Sequence, residues 1–170
     1  VTTGRLIYSL CMNEHDAARR PSRLAQVFAG TTSGIAAGAA YLVVAGIDNK
    51  ISGQRLYDLQ LLARPFVRSQ KKANALGALI HVGNSTALGS LYGALAEPRL
   101  PGPPIVKGLL FVTVEETVLY PILALEAHHP AVKSGEIGPY WSWKSFLWNW
   151  PRHVAYGAVL GWLYPKLRNL

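Results

Sequence analysis

Two histidines and two adjacent glutamates stand out in this sequence, because His81, Glu115, Glu116 and His153 all fall inside long apolar segments. An ionisable side chain there is costly unless it is paired or functional, so these positions belong to the interior of a packed structure. Asn84 lies one helical turn beyond His81, and Arg152 adjoins His153. Neighbouring glutamates diverge by ~100° on a helix, so one faces the histidines and the other meets Arg152 or another partner. Three chemistries suit this set. In the first, the histidines, a glutamate, Asn84 and Arg152 form a buried polar network that satisfies itself and fixes helix register. A second is axial ligation of a b-type haem or a chlorophyll-type pigment by His81 and His153, with glycines admitting the porphyrin plane. The third is a proton or solute path through the glutamates and histidines.

Other candidates are weaker. His128-His129 sits beside Glu126 in a proline-bounded turn and reads as solvent-exposed rather than as a metal site. Asn84-Ser85-Thr86 matches a glycosylation triplet, but inside an apolar segment it reads as a helix-contact surface. Neither a nucleophile with a base, nor a phosphate-binding loop, nor a metalloprotease helix motif is present, so no catalytic or metal residue is assigned. The lone Cys11 excludes an intrachain disulfide. Leu6–Met12 is too short for a signal-peptide core, so the first apolar segment is expected to remain in the mature chain.

The elements that would position these residues are membrane helices. Half of the 170 residues are hydrophobic and 15% are charged, against ~25% charged in soluble domains. Apolar runs over 24–47, 73–96, 105–125 and 145–167 each meet the ~20 residues needed to cross a bilayer. The fourth is the most interrupted, with Pro151 and Arg152 in its first third; Pro151 as a first helical residue would shorten it. The expected fold is therefore all-α: one domain over 24–170, a four-transmembrane-helix bundle, preceded by a peripheral segment over 1–23. Between the first two spans, Ile51, Leu56, Leu59, Leu62, Phe66 and Val67 recur at helical spacing, which predicts an interfacial amphipathic helix ended or kinked at Pro65. The Pro98–Pro104 turn makes spans two and three antiparallel neighbours. Trp141, Trp143, Trp148 and Trp150 read as an interfacial aromatic belt. The net charge of +8 comes from basic residues flanking the spans, which points to lipid headgroups rather than nucleic acid. Those residues divide eight against nine between the two sides, so the positive-inside rule assigns no orientation.

Span two from His81 to Tyr92 and span four from His153 to Tyr164 share His, Val, Leu, Gly, Leu and Tyr at the same offsets, six of twelve positions. Common origin would make the chain two repeated helical hairpins related about an axis along the membrane normal. Small residues also recur at every fourth position: Gly30, Gly34 and Gly38 in span one, Gly89 and Gly93 in span two, Gly157 and Gly161 in span four. Such stripes let helices pack backbone to backbone.

The small-residue first span, Leu91-Tyr92-Gly93, the Pro101-Gly102-Pro103-Pro104 turn, the acidic third span and the final Arg152-His153…Tyr156-Gly157…Leu160-Gly161…Leu163-Tyr164 together resemble uncharacterised four-helix bacterial membrane proteins. The resemblance covers about Gly30 to Leu167. It implies a multi-pass protein of the bacterial cytoplasmic (inner) membrane and carries over no functional residue. The leading functional expectation is a non-catalytic accessory or structural subunit of a larger membrane complex, respiratory or photosynthetic, with other membrane subunits and the lipid bilayer as partners. A haem- or chlorophyll-binding electron-transfer protein and a small proton or solute transporter are the alternatives.

Overall fold

The computed structural model describes residues 21–53 and 55–170, and these are helical with no strand among them. The peripheral segment expected over 1–23, with Cys11, lies outside the described residues except for its last three. Helix α1 runs Arg23–Ser52; its first turn is capped by the Ser22 hydroxyl, which accepts from the Ala25 amide at 3.1 Å. Gly53 ends it at a left-handed φ of 63°. Short α2 follows at Asp58–Ala63, then α3 at Gln70–Leu91, which ends in a π-helical turn over Tyr92–Ala96. Helix α4 is Pro104–Leu119. Pro121 withholds the amide that would bond the Thr117 carbonyl, and the chain tightens into a 3-10 helix over Tyr120–His128. A single turn, α5 (Pro130–Lys133), precedes α6 at Trp143–Arg168.

Two of these helices, Arg23–Ser52 and Pro104–His128, are long and apolar enough to cross a membrane. Helix α1 outlasts the run expected for it because Asp48 and Asn49 find partners within the fold, as described below, instead of marking an aqueous boundary. The amphipathic helix expected between Ile51 and Val67 shrinks to the six residues of α2. Gly53 breaks the chain before it, and Leu56 is withdrawn into a small apolar cluster with Ala131, Ile137 and Tyr140. Pro151 lies inside α6 rather than at its start, since the Ser142 hydroxyl caps that helix at the Ser145 amide.

Helix α1 packs against both α3 and α6, and α6 also packs against α4. Glycine makes the first and last of these contacts possible. A Cβ on Gly30 or Gly34 would collide with the backbone of Gly89 or Ser85, and one on Gly108 with that of Gly157 and Gly161. The α1–α3 seam is closed further by a 2.6 Å hydrogen bond between the Thr31 and Ser90 hydroxyls. Tyr156 and Tyr164 of α6 each donate to a carbonyl of the α3 segment, Ser85 and Gly93, both at 3.2 Å. At one end of the bundle Glu97 accepts from Lys107 and Arg168, both at 3.1 Å, which ties the ends of the α3 segment and α6 to the start of α4. The other end is covered by the segments on either side of α2 and α5, where Arg64 pairs with Glu136 and the Tyr140 amide bonds Glu126. Helix α4 does not run along α3 in the same way, and a crevice lies between them.

Candidate functional site: a polar crevice between α3 and α4

The crevice has a volume of about 270 Å³. Helix α3 supplies His81, Asn84 and Ser85 to its wall, and α4 supplies Glu115 and Glu116. Its floor is formed by Tyr41 of α1 with Asn149, His153 and Tyr156 of α6, and the end cover contributes Asp58 and Tyr140.

Glu116, His153 and Asn149 form the centre of the site. The Asn149 side-chain amide donates to Glu116 Oε1 at 3.0 Å, and its carbonyl oxygen accepts from the Tyr41 hydroxyl at 3.2 Å. His153 Nε2 lies 3.1 Å from Glu116 Oε2 and 3.8 Å from Glu115 Oε2. Its other ring nitrogen, Nδ1, stands 3.3 Å from the Asn149 main-chain carbonyl. A carbonyl can only accept, so Nδ1 carries a proton in this arrangement and Nε2 is turned on the carboxylates. Although the two glutamates diverge on α4, both therefore reach one imidazole nitrogen on α6. No lysine or arginine is among the described residues lining the crevice.

The remaining candidates are distributed around this centre. His81 donates Nε2–H to the Gly38 carbonyl at 3.0 Å and stacks at a tilt on Tyr41, centroids 5.3 Å apart. Tyr41 also meets the edge of His153 at 5.2 Å. The tyrosine ring thus touches both histidines, and a Cβ on Gly38 would meet Ser85 rather than open space. Asn84 lies on the exposed rim of the crevice, away from any bond to the glutamates.

Arg152 turns away from Glu115 and Glu116, being ~100° around α6 from His153. It is fully buried and holds Asp48 through Nε at 2.9 Å and Nη2 at 2.6 Å, and Asp58 through Nη1 at 2.7 Å. Nη1 also donates to the Leu56 carbonyl at 3.1 Å, and Nη2 to the Asn49 side chain at 3.2 Å. Asn49 in turn donates to the Leu56 carbonyl at 2.9 Å, so the end of α1, the loop after it and α6 meet on one guanidinium. Tyr140 donates to the second oxygen of Asp58 at 2.9 Å. Burial, with the Asp58 carboxylate beside it, raises the Tyr140 phenol well above its ordinary pKa. His128 is exposed, and His129 bonds the Leu61 carbonyl at 2.9 Å.

Tyr41, Asn149, Asp48 and Asp58 escaped the sequence reading. Asn149 carried a signal, being four residues before His153 on the same helix face. Asp48 and Asp58 looked like interfacial charges because nothing in the sequence placed them beside Arg152.

Described residues that are helical with no strand, two helices among them suited to crossing a membrane, and an acid–imidazole cluster in a crevice define a class rather than an activity. The sequence of residues 24–169 matches a family of unknown function (DUF6789), and the chain belongs to it. No curated protein and no solved structure matches it.

Proposed function

We propose that this chain is a four-span membrane protein that handles a cation in the crevice between α3 and α4. The observation that carries the reading is the charge of the site. Glu115 and Glu116 share one imidazole and have no Lys or Arg at the crevice among the described residues, while the nearby guanidinium is taken by Asp48 and Asp58. Two carboxylates in a low-dielectric interior attract a positive partner strongly. Helices α3 and α6 serve as the additional spans; both exceed the ~30 Å hydrocarbon thickness at ~1.5 Å per residue. Their lower hydropathy has a physical origin: small polar residues of α3 face α1, and within α6 Arg152 is paired with Asp48 and Asp58 and Arg168 with Glu97.

A repeated-hairpin architecture belongs to the same proposal. Its supports are that Tyr92 and Tyr164, equivalent under the repeat, pack edge to face at 5.3 Å, and that His81 and His153 flank one tyrosine. The setting is the bacterial cytoplasmic membrane, where outward residues such as Phe28, Leu79 and Val118 meet lipid or other subunits of a larger complex. As an accessory subunit, the chain would hold or pass the cation for that complex.

Reconstitution into liposomes tests this reading. Cation flux or cation binding that is lost in the Glu115→Gln, Glu116→Gln double variant supports it. Flux and binding indistinguishable from protein-free liposomes, or unaltered in the double variant, overturn it.

A further inference from the structure

We infer that Glu115, Glu116 and His153 form a binding site for one divalent first-row transition metal ion. The inference rests on the cation-handling reading and specifies the cation's class. One donor atom from each residue lies within 4.8 Å of the other two. Donors on a single metal, at bonds of ~2.1 Å, stand roughly 3–3.5 Å apart. The separation between His153 Nε2 and Glu116 Oε2, 3.1 Å, already falls in that range, and the 3.8 Å to Glu115 Oε2 needs only a small rotation of a flexible side chain.

The surroundings are those of a ligand set rather than of an incidental ion pair. The Asn149 main-chain carbonyl accepts from Nδ1–H, so Nε2 is the ring nitrogen that can bind a metal once it gives up its own proton. The Asn149 amide holds Glu116 Oε1 and leaves Oε2 free, and the Tyr41 hydroxyl holds Asn149 in turn. Two carboxylates facing Nε2 call for a positive charge between them, which a proton on Nε2 supplies when the site is empty and a metal ion supplies when it takes that proton's place. One imidazole with two carboxylates suits Mn²⁺, Fe²⁺, Co²⁺ or Zn²⁺, whereas Ca²⁺ asks for six to eight oxygens. Three protein donors leave coordination positions open, and these face the crevice, where water or a small anionic ligand can complete the shell.

The test uses the full chain purified in detergent, stripped with a chelator and titrated with Zn²⁺ by calorimetry and with Co²⁺ by visible absorption. One equivalent per chain is expected, with a Co²⁺ ligand-field band. Binding should weaken by 100-fold or more in His153→Ala and in Glu116→Gln, and by roughly 10-fold in Asn149→Ala through loss of its positioning hydrogen bonds. His128→Ala, which lies away from the crevice and leaves the three donors in place, should bind as wild type does. A blank titration with both ions, or binding that survives His153→Ala and Glu116→Gln in chains with wild-type melting temperature, overturns the inference. If the titration is blank while liposome flux of another cation still depends on Glu115 and Glu116, the metal assignment alone falls. If both are blank, the cation reading falls with it.

Discussion

Replacing Arg152 with methionine removes a guanidinium that is fully buried and donates five hydrogen bonds, three of them to the carboxylates of Asp48 and Asp58. Methionine fills much of the volume, so the cost is chiefly electrostatic. The side chains of Asp48 and Asp58 are only 6% and 12% exposed, which leaves water little access to solvate them once the cation is gone. Removing one partner of a buried ion pair costs about 3–5 kcal/mol, a large share of the ~5–15 kcal/mol that holds a typical domain folded. Arg152→Lys keeps the charge but cannot span two carboxylates and two carbonyl oxygens from one planar fork, so it should fall between wild type and Arg152→Met. Adding Asp48→Asn and Asp58→Asn to Arg152→Met should recover part of the loss, because amides left behind are cheaper to bury than carboxylates. The assay is chemical unfolding in mixed micelles followed by far-ultraviolet circular dichroism. An Arg152→Met variant within 1 kcal/mol of wild type, or a triple variant less stable than the single one, would refute the account of this cluster.

Gly34→Val should cost about 1–3 kcal/mol by forcing apart the α1–α3 seam, read as a lower unfolding midpoint and a broadened gel-filtration peak. Tyr92→Phe should be neutral or stabilising by up to about 1 kcal/mol, because the buried Tyr92 hydroxyl has no hydrogen-bond partner among the described residues. Tyr140 carries a pH prediction. Its phenol titrates above the ordinary value in the folded chain, so its contribution is fully present below about pH 10 and is lost as pH rises through the folded pKa. Tyr140→Phe should flatten the alkaline fall in stability, and a tyrosinate absorbance titration of the folded protein should lose one late-titrating group.

Apolar length was enough to locate the long helices, because a run that must shed water announces itself regardless of its partners. Their ends were less legible: Asp48 and Asn49 looked like the boundary of α1, but a buried arginine and a carbonyl accept them into the helix. Histidines and glutamates were visible as candidates because each is expensive in an apolar run. Tyr41 was not, since a tyrosine in such a run has the same signature whether it fills a core or orients a ligand. The destination of Arg152 was hidden for a related reason: its acids lie about a hundred residues earlier, and only the packing of α1 on α6 brings them together. Sequence also could not reveal that the glycines beside the histidines are met by the backbone of neighbouring helices, or that His81 Nε2 bonds the Gly38 carbonyl.

The seam between α4 and α6 works like the screw of a caliper. Glu115 and Glu116 ride on one jaw and His153 on the other, and the gap is set one to two turns away, where Gly108 of α4 lies against Gly157 and Gly161 of α6. A single methyl group at that seam would be transmitted as a change in donor spacing without touching any residue of the crevice. The dimensions of the site are therefore stored in three positions that carry no side chain.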